Sequence, residues 1–224
     1  MWTILLDIDG TLVRTRGAGL QAIRGVMNRH FGVSDLPPLQ VHGCTDFGIW
    51  TSIFDQLGLK MPSDMSHLID EYCDLLTETL ASVQGDVLPG VPGFLSALKS
   101  QNDVAIGLLT GNAQRAAGIK MEHFELSEFV ENFGGFGDFD ADRNAVAARA
   151  FTSCRQHLGK SFDPAKVWVI GDTVRDIQCA RSIGANVLAV ETGGDDSTTL
   201  SEAKPDLQVS KLTNHESICT LLGL

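Results

Sequence analysis

Near its beginning the chain reads Ile4-Leu5-Leu6-Asp7-Ile8-Asp9-Gly10-Thr11-Leu12-Val13. A short apolar run that ends at acidic residues is typical of a strand buried on both faces of a sheet. Asp7 and Asp9 are two residues apart, so they share a face if the extended chain continues. One carboxylate could then attack while the other transfers a proton. Gly10 permits a sharp turn directly after them.

Three more short apolar runs follow along the chain, at residues 104–110, 167–172 and 186–190. Helical patterns lie between them, for example at residues 142–158 and at residues 174–183, where Gly184 ends the pattern. Alternating strands and helices are typical of a parallel sheet covered by helices. The sequence therefore predicts an α/β fold with a Rossmann-like parallel sheet core.

The segment between the first two apolar runs has a different pattern. It offers three helices, at residues 19–31, 46–57 and 63–83, and no strand. Proline and glycine residues between 89 and 93 mark the return to the α/β part. We therefore expect a helical insert at 16–86 and a core formed by 1–15 and 87–224.

The composition of the 224-residue chain limits its partners. Hydrophobic residues make up 43% and charged residues 20%, which indicates a folded globule. The net charge of -11 disfavours nucleic acid and anionic membranes as partners, so a site for an anion would have to be made positive locally. Five cysteines, an odd number without close pairs, predict free thiols and a cytoplasmic location. No apolar run is long enough to predict a membrane span or a signal peptide.

Polar side chains follow three of the predicted strands. Because reactive groups collect at the carboxyl ends of parallel strands, we expect these residues to meet: Asp7, Asp9, Thr11, Thr110, Gly111, Asn112, Asp172, Thr173 and Asp176. The four carboxylates would repel one another unless a hard divalent cation, most commonly Mg²⁺, lies between them. The hydroxyl of Thr11 and the donors of residues 110–112 suit phosphoryl oxygens.

Each of these motifs alone has an ordinary structural interpretation. An Asp-Gly pair is commonly a turn, and Thr110-Gly111-Asn112 could be a loop with a helix cap. Asp172 could cap the helix that follows, with Asp176 as a favourable acid in its first turn. Their coincidence at successive strand ends is what favours a functional site.

The motifs resemble those of one known family. Asp7-Ile8-Asp9-Gly10-Thr11-Leu12-Val13 is similar to the first motif of the haloacid dehalogenase (HAD) superfamily. Thr110-Gly111-Asn112 resembles the second motif, and Gly171-Asp172-Thr173-Val174-Arg175-Asp176 the fourth. Leu88-Pro89-Gly90-Val91 resembles the segment that re-enters the core from a helical cap, as in phosphoglycolate phosphatase-like members. The resemblance covers essentially the whole chain.

The resemblance implies an α-helical cap over the site and a defined set of roles. Asp7 would form an aspartyl-phosphate, and Asp9 would protonate the leaving group and then activate water. Mg²⁺ would be held by the Asp7 carboxylate, the Asp9 backbone carbonyl and Asp172, with direct or water-mediated support from Asp176. Such an arrangement suits phosphoryl transfer, which depends mainly on positioning and charge neutralisation.

The third motif of this family supplies a cation, usually Lys, but residues 136–144 contain none. Lys160 and Lys166 follow the next predicted helix and would lie at the opposite edge of the sheet. Arg143 is the only cation in the expected segment, so we predict that it takes the Lys role and contacts phosphate. An exposed arginine at a solvated helix start is an equally good interpretation.

The predicted activity is a magnesium-dependent phosphatase that acts on a small phosphorylated metabolite. Asp9 favours phosphate esters over haloacids, and the cap lysine Lys60 is poorly placed for a phosphonate hydrolase. A phosphomutase, or a non-catalytic phosphate-binding or regulatory module, remain alternatives. His42 and Cys44, next to a predicted cap helix, are more typical of loop packing than of substrate contact. Phosphoglycolate, a sugar phosphate and a nucleotide all remain open as substrates.

Overall fold

A parallel sheet of six strands forms the centre of the structure, a computed structural model that describes residues 1–224. Two further short strands pair with each other in a separate antiparallel ribbon. Numbered along the chain, the strands are β1 (Trp2–Leu6), β2 (Val13–Arg14), β3 (Asp86–Val87), β4 (Val104–Leu109), β5 (Gly134–Gly135), β6 (Val167–Gly171), β7 (Asn186–Val190) and β8 (Leu207–Val209). The order across the large sheet is β5-β4-β1-β6-β7-β8, which puts β1 between β4 and β6.

Nine α-helices surround the two sheets. They are α1 (Ala18–Phe31), α2 (Asp46–Gln56), α3 (Ser66–Ser82), α4 (Val91–Lys99), α5 (Gln114–His123), α6 (Arg143–Leu158), α7 (Val174–Ser182), α8 (Ser197–Glu202) and α9 (His215–Leu222). None of them has the length and apolar character needed to cross a bilayer.

Both faces of the large sheet are buried, as the apolar run before Asp7 predicts. Ile4 and Leu6 belong to one cluster of 23 buried residues, whereas Leu5 belongs to a second cluster of 17 on the other face. The side chains therefore alternate between two hydrophobic layers along β1. The predicted α/β fold with a Rossmann-like parallel sheet is confirmed.

The helices between β2 and β3 have a hydrophobic cluster of their own. Trp50, Phe54 and Tyr72 are among its buried members, and the Trp50 and Tyr72 rings meet edge to face. The cluster also includes Ala113 and Ala116, at the start of α5, so the helices α1 to α3 pack onto the sheet part through α5. The domain limits at 16 and 86 stay a prediction.

Four short strands were not expected from the sequence: β2, β3, β5 and β8. Gly134 and Gly135 form β5 at one edge of the sheet and pair with Leu108 and Leu109 of β4. A Cβ atom at Gly134 would collide with the Leu108 carbonyl oxygen, so glycine is what allows this edge strand to approach. β2 and β3 contain two residues each and are too short to give an alternating pattern.

Candidate active site

The turn after β1 brings Asp7 and Asp9 to the carboxyl edge of the sheet. The Asp7 backbone N–H donates to the Ile170 carbonyl at 3.0 Å and so continues the pairing with β6. Gly10 then adopts a φ of 87°, and its N–H donates to the Val13 carbonyl to close the turn. A Cβ atom at Gly10 would collide with the Asp172 carboxylate, so glycine is required twice, by the backbone conformation and by this close approach.

Three buried carboxylates meet beside this turn. Asp7, Asp172 and Asp176 each present an oxygen within 4.8 Å of the others. Burial raises the pKa of Asp7 to about 7, and the charges of Asp176 and Asp9 add to this effect against the opposing charge of Arg143. Burial, followed by the charges of Asp176 and Asp7, likewise raises the pKa of Asp172 well above its usual range. The cluster therefore carries excess negative charge that the protein only partly neutralises.

Arg143, the first residue of α6, lies inside this cluster. It is only 6% exposed, its Nη2 lies 3.6 Å from Asp7 Oδ1, and the same nitrogen pairs with Asp176 Oδ1. The interpretation as a solvated surface arginine is therefore wrong. Asp142 caps α6 by accepting from the Asn144 backbone N–H, which fixes the start of the helix and with it the position of Arg143.

Asp176 has other partners besides Arg143. Its Oδ2 accepts from the Thr173 hydroxyl at 2.6 Å and from the Thr173 backbone N–H at 3.0 Å, which forms a capping box at the start of α7. Both carboxylate oxygens are thus engaged with protein groups. Asp176 is therefore a fixed member of the cluster that can orient Arg143.

Asp172 is held from two sides. The Thr11 hydroxyl donates to its Oδ1 at 2.8 Å, and the Gly194 backbone N–H donates to its Oδ2 at 2.6 Å. The structure therefore places the Thr11 hydroxyl on a carboxylate, where the sequence predicted a position near phosphate. Thr192, next to this loop, donates to the Gly10 carbonyl at 2.6 Å and ties the loop after β7 to the turn after β1.

Asp9 faces a different set of groups. Its side chain is 40% exposed, and Lys120 Nζ donates to its Oδ2 at 2.5 Å. Asn112 Nδ2 donates to the same oxygen at 2.8 Å, and the Thr15 hydroxyl donates to Oδ1 at 3.0 Å. Burial opposes ionisation, but the charge of Lys120 and these hydrogen bonds hold the pKa of Asp9 below its usual value.

Lys120 is the site residue that the sequence reasoning missed. The sequence does carry a signal for it, because Ala113, Ala116 and Lys120 recur at helical spacing, and all three are buried. A lysine on the buried face of a helix that follows directly on Thr110-Gly111-Asn112 needs an anionic partner. Lys120 lies outside the third-motif segment, which is where the family resemblance predicts a cation.

The second-motif residues link Asp9 to α2, one of the three helices between β2 and β3 (α1 to α3), which are called the cap helices below. Asn112 Nδ2 also donates to the Thr110 hydroxyl at 2.8 Å, and both residues are buried. The Gly111 carbonyl accepts from the Asp46 backbone N–H at 2.7 Å, and a Cβ atom on Gly111 would collide with the Cys44 carbonyl. The loop before α2 therefore lies directly on Gly111.

Asp46 completes this contact between the two parts of the chain. Its Oδ2 accepts from the Ala113 backbone N–H at 2.8 Å and from the Tyr72 hydroxyl at 3.5 Å. It is 8% exposed, and burial raises its pKa to about 6 in spite of the charge of Lys120. A side chain from the start of α2 thus satisfies a backbone donor at the start of α5.

A cavity of about 360 Å³ opens between the cap helices and the sheet edge. Four acidic residues line it, and four basic residues balance them: Asp7, Asp9, Asp46 and Asp172 against Arg14, Arg16, Lys120 and Arg143. His42 and Cys44 also line this cavity, which the packing interpretation did not anticipate. The lining is thus balanced in charge although the whole chain carries a net charge of -11, and Lys120 and Arg143 supply positive charge next to the carboxylates.

The donor set of the carboxylate cluster fits a hard divalent cation. Asp7, Asp172 and Asp176 supply only oxygen atoms, and Arg143 is the one basic side chain that pairs with any of them. Oxygen ligands of this kind suit Mg²⁺ and similar ions. The cluster could therefore bind a metal ion.

Comparisons with known proteins agree with this geometry. Residues 4–190 match the family model described as haloacid dehalogenase-like hydrolase. The phosphoglycolate phosphatase of Synechococcus elongatus is 26% identical over 213 residues, which cover 92% of this chain and 91% of that protein. The N-acetylmuramic acid 6-phosphate phosphatase of Pseudomonas aeruginosa is 27% identical over 191 residues, which cover 85% and 81%.

Solved structures share the fold. The crystal structure of β-phosphoglucomutase from Clostridium difficile superposes with a TM-score of 0.74 at 16% identity, covering 100% of this chain and 97% of that one. At this identity the likeness shows the fold alone, whereas the family match rests on 187 consecutive residues, from 4 to 190. The resemblance indicated by the motifs is therefore confirmed, and the chain belongs to the family of haloacid dehalogenase-like hydrolases.

Proposed function

We propose that the chain is a magnesium-dependent phosphatase that hydrolyses a small phosphate monoester through an aspartyl-phosphate on Asp7. The observation that carries the proposal is that two carboxylates meet in one cavity: the buried Asp7, a member of the carboxylate cluster, and the partly exposed Asp9 two residues later. A nucleophile and a proton carrier on one face of the same turn are what two-step hydrolysis of an ester needs.

In the first step, an Asp7 carboxylate oxygen would attack phosphorus, and the bond from phosphorus to the ester oxygen would break. Asp9 would give its proton to that oxygen as it leaves. Asp9, then ionised, would take a proton from water while the water oxygen attacks phosphorus, which releases phosphate and restores the Asp7 carboxylate. The negative charge of the bound phosphate would help Asp9 to hold the proton that it needs for the first step.

The groups around Asp7 would stabilise the transferring phosphoryl group. Asp7 and Asp172 would hold Mg²⁺ together with the Asp9 backbone carbonyl. Asp176, which pairs with Arg143, would support the metal site directly or through water. The metal would neutralise charge on the phosphoryl oxygens. Arg143 lies 3.6 Å from Asp7 Oδ1 and would offer a fixed cation to the same oxygens.

Two alternatives to a phosphatase are a non-catalytic phosphate-binding module and a phosphomutase. The absence of the third-motif lysine favours a non-catalytic module. Against it, the buried cations Arg143 and Lys120 lie beside Asp7 and Asp9. A phosphomutase would keep the same chemistry, so only the fate of the phosphoryl group separates it from a phosphatase.

The five free cysteines suit a reducing cytosol.

The substrate remains a small phosphate ester of unspecified leaving group. The two curated relatives named above carry different substrates in their names, phosphoglycolate and N-acetylmuramic acid 6-phosphate. The cavity of about 360 Å³, with Arg14 and Arg16 among its lining residues, has room for a small polar leaving group.

The direct test is hydrolysis of p-nitrophenyl phosphate by the purified chain, with Mg²⁺ and with a chelator. We expect release of inorganic phosphate that depends on Mg²⁺ and that D7N abolishes. Asp70→Asn, an exposed aspartate on α3, is the matched control and should leave turnover unchanged. Inactivity towards this ester and a panel of small phosphate esters would contradict the proposal, as would retained activity in D7N. Transfer of the phosphoryl group to a sugar in place of water would identify a mutase.

A further inference from the structure

Lys120 is the one lysine that lines the cavity. Its side chain is 5% exposed, although Lys side chains are almost never buried unless they are paired. Nζ donates at 2.5 Å to Asp9 Oδ2 and at 2.5 Å to Asn112 Oδ1. No other carboxylate pairs with it directly, so its charge is directed at Asp9.

Lys120 and Asn112 close a ring of hydrogen bonds on one oxygen of Asp9. Asn112 accepts from Lys120 through Oδ1 and donates to Asp9 Oδ2 through Nδ2, so the three groups fix one another. The other oxygen, Oδ1, has the Thr15 hydroxyl at 3.0 Å as its single side-chain partner. The two oxygens of Asp9 are thus unequal: Oδ2 accepts from two donors that are themselves hydrogen-bonded to each other, whereas Oδ1 accepts only from the Thr15 hydroxyl.

Lys120 and Arg143 serve different aspartates. Arg143 pairs with Asp7 and Asp176, whereas Lys120 pairs with Asp9. Lys120 comes from α5, the helix that follows Asn112, whereas Arg143 comes from α6. A single cation could not make both sets of contacts.

We propose that Lys120 is a positioning residue for proton transfer by Asp9: together with Asn112 it clamps Oδ2, so that Oδ1 is the oxygen that exchanges the proton with the leaving group and with water. This inference rests on the proposed function, because it assigns a role within the same reaction. General acid catalysis typically contributes on the order of 10²- to 10⁴-fold, and a misplaced acid loses part of that factor.

The leaving group decides how much Asp9 matters. p-Nitrophenolate leaves readily without a proton, whereas the alkoxide from benzyl phosphate needs one, and the two substrates are similar in size. The value of kcat/KM reports the first phosphoryl transfer, in which the leaving group departs. We expect K120M to lower kcat/KM for benzyl phosphate on the order of 10- to 100-fold and for p-nitrophenyl phosphate by no more than about 3-fold. D9N should show the same preference more strongly.

The controls separate positioning from folding. K60M changes an exposed lysine in the cap segment and should alter neither substrate. K120R keeps the charge and should restore much of the ratio between the two substrates even if its size lowers both rates. K120Q replaces K120M in the comparison if K120M does not fold, as judged by circular dichroism.

The outcomes distinguish this inference from the proposed function. Equal losses for both substrates in K120M, or no loss at all, would overturn the role of Lys120 while the wild type stays active and D7N stays inactive. An inactive wild type, or an active D7N, would instead overturn the proposed function itself. A selective loss with benzyl phosphate that K120R reverses is the result that supports the clamp.

Discussion

At the scale of single residues, the site depends on how buried charges are paired. Arg143 lies against Asp7 and Asp176, which are 6% and 1% exposed. Removing one member of a buried charge pair leaves the other without compensation, which costs more than the pair itself contributes. Arg143 is therefore expected to matter for both folding and chemistry.

Arg143→Ala should lower kcat on the order of 10²- to 10³-fold, since a fixed cation beside the transferring phosphoryl group is lost. The free energy of unfolding should fall by about 3–5 kcal/mol, because Asp176 then stays buried without its cation. Arg143→Lys should recover part of both losses. Steady-state kinetics and urea unfolding measure the two effects, and Arg155→Ala, an exposed arginine on the same helix, is the control. Unchanged turnover in R143A would exclude this role.

The pKa of Asp7, raised by burial to about 7, predicts how metal binding depends on pH. Below about pH 7 the metal-free protein holds a proton on Asp7, and a metal ion can bind only after that proton leaves. The apparent affinity for Mg²⁺ should therefore weaken as the pH falls, by up to about tenfold per pH unit for one released proton. Isothermal titration calorimetry in buffers of different ionisation enthalpy counts the protons. Affinity that stays constant between about pH 6 and pH 8 would count against the cluster as the metal site.

At the scale of secondary-structure elements, contact between α2 and α5 joins the cap helices to the sheet edge. Asp46, the first residue of α2, accepts from the Ala113 backbone N–H, which precedes α5 and would otherwise lack an acceptor. The contact is charged at neutral pH, because the pKa of Asp46 is about 6. The same carboxylate therefore links the element that carries Lys120 to the helical insert.

Asp46→Ala should lower the free energy of unfolding by about 1–2 kcal/mol, since the Ala113 N–H loses its acceptor. Asp46→Asn keeps an oxygen in the same place and should lose less. Urea unfolding at about pH 8, where the carboxylate is ionised, is the appropriate measurement. Equal losses in the two variants would show that the hydrogen bond to Ala113 is not what the carboxylate contributes.

The elements that the sequence predicted well are those with a strong local signal. β1, β6 and β7 come from continuous apolar runs, and α7 begins at the capping box of Thr173 and Asp176. β2, β3 and β5 are each two residues long, and pairing across the fold, rather than local pattern, determines them. Such strands have no sequence period to detect.

The site shows the same division. Asp7, Asp9 and Asp172 could be predicted because each follows a strand, and the topology of a parallel sheet brings strand ends together. Lys120 could not be placed by strand ends, because it lies within α5 and its contact with Asp9 joins that helix to the turn after β1. The engagement of Thr11 with Asp172 likewise depends on the approach of two loops 161 positions apart.

At the scale of the whole molecule, the protein and the proposed substrate are both negatively charged. The chain carries a net charge of -11, whereas the residues lining the cavity are balanced, so a phosphate dianion meets repulsion before it reaches the site. We expect kcat/KM for p-nitrophenyl phosphate to rise by about two- to threefold as salt is increased from about 20 to about 200 mM, because salt screens distant charges. Viscosity-matched assays with KCl would show it, and a marked decrease would contradict this picture of the field.

The cap helices and the sheet part must act together for the reaction that we propose. Asp7 and Arg143 belong to the sheet part, whereas Tyr72 and Asp46 come from the helical insert and line the same cavity. Closing a cavity of this kind excludes water and strengthens the electrostatic contacts within it. The proposed reaction nevertheless depends on one group, the Asp7 carboxylate, which must become phosphorylated.

Phosphorylation of Asp7 can be detected by acid quenching during turnover of a phosphate ester, followed by peptide mass spectrometry. We expect one added phosphoryl group on the peptide that contains Asp7. D9N should accumulate more of it where hydrolysis of the aspartyl-phosphate is slowed, and D7N should show none. Turnover without any phosphoryl group on Asp7, or a phosphoryl group on another residue, would contradict the proposed reaction.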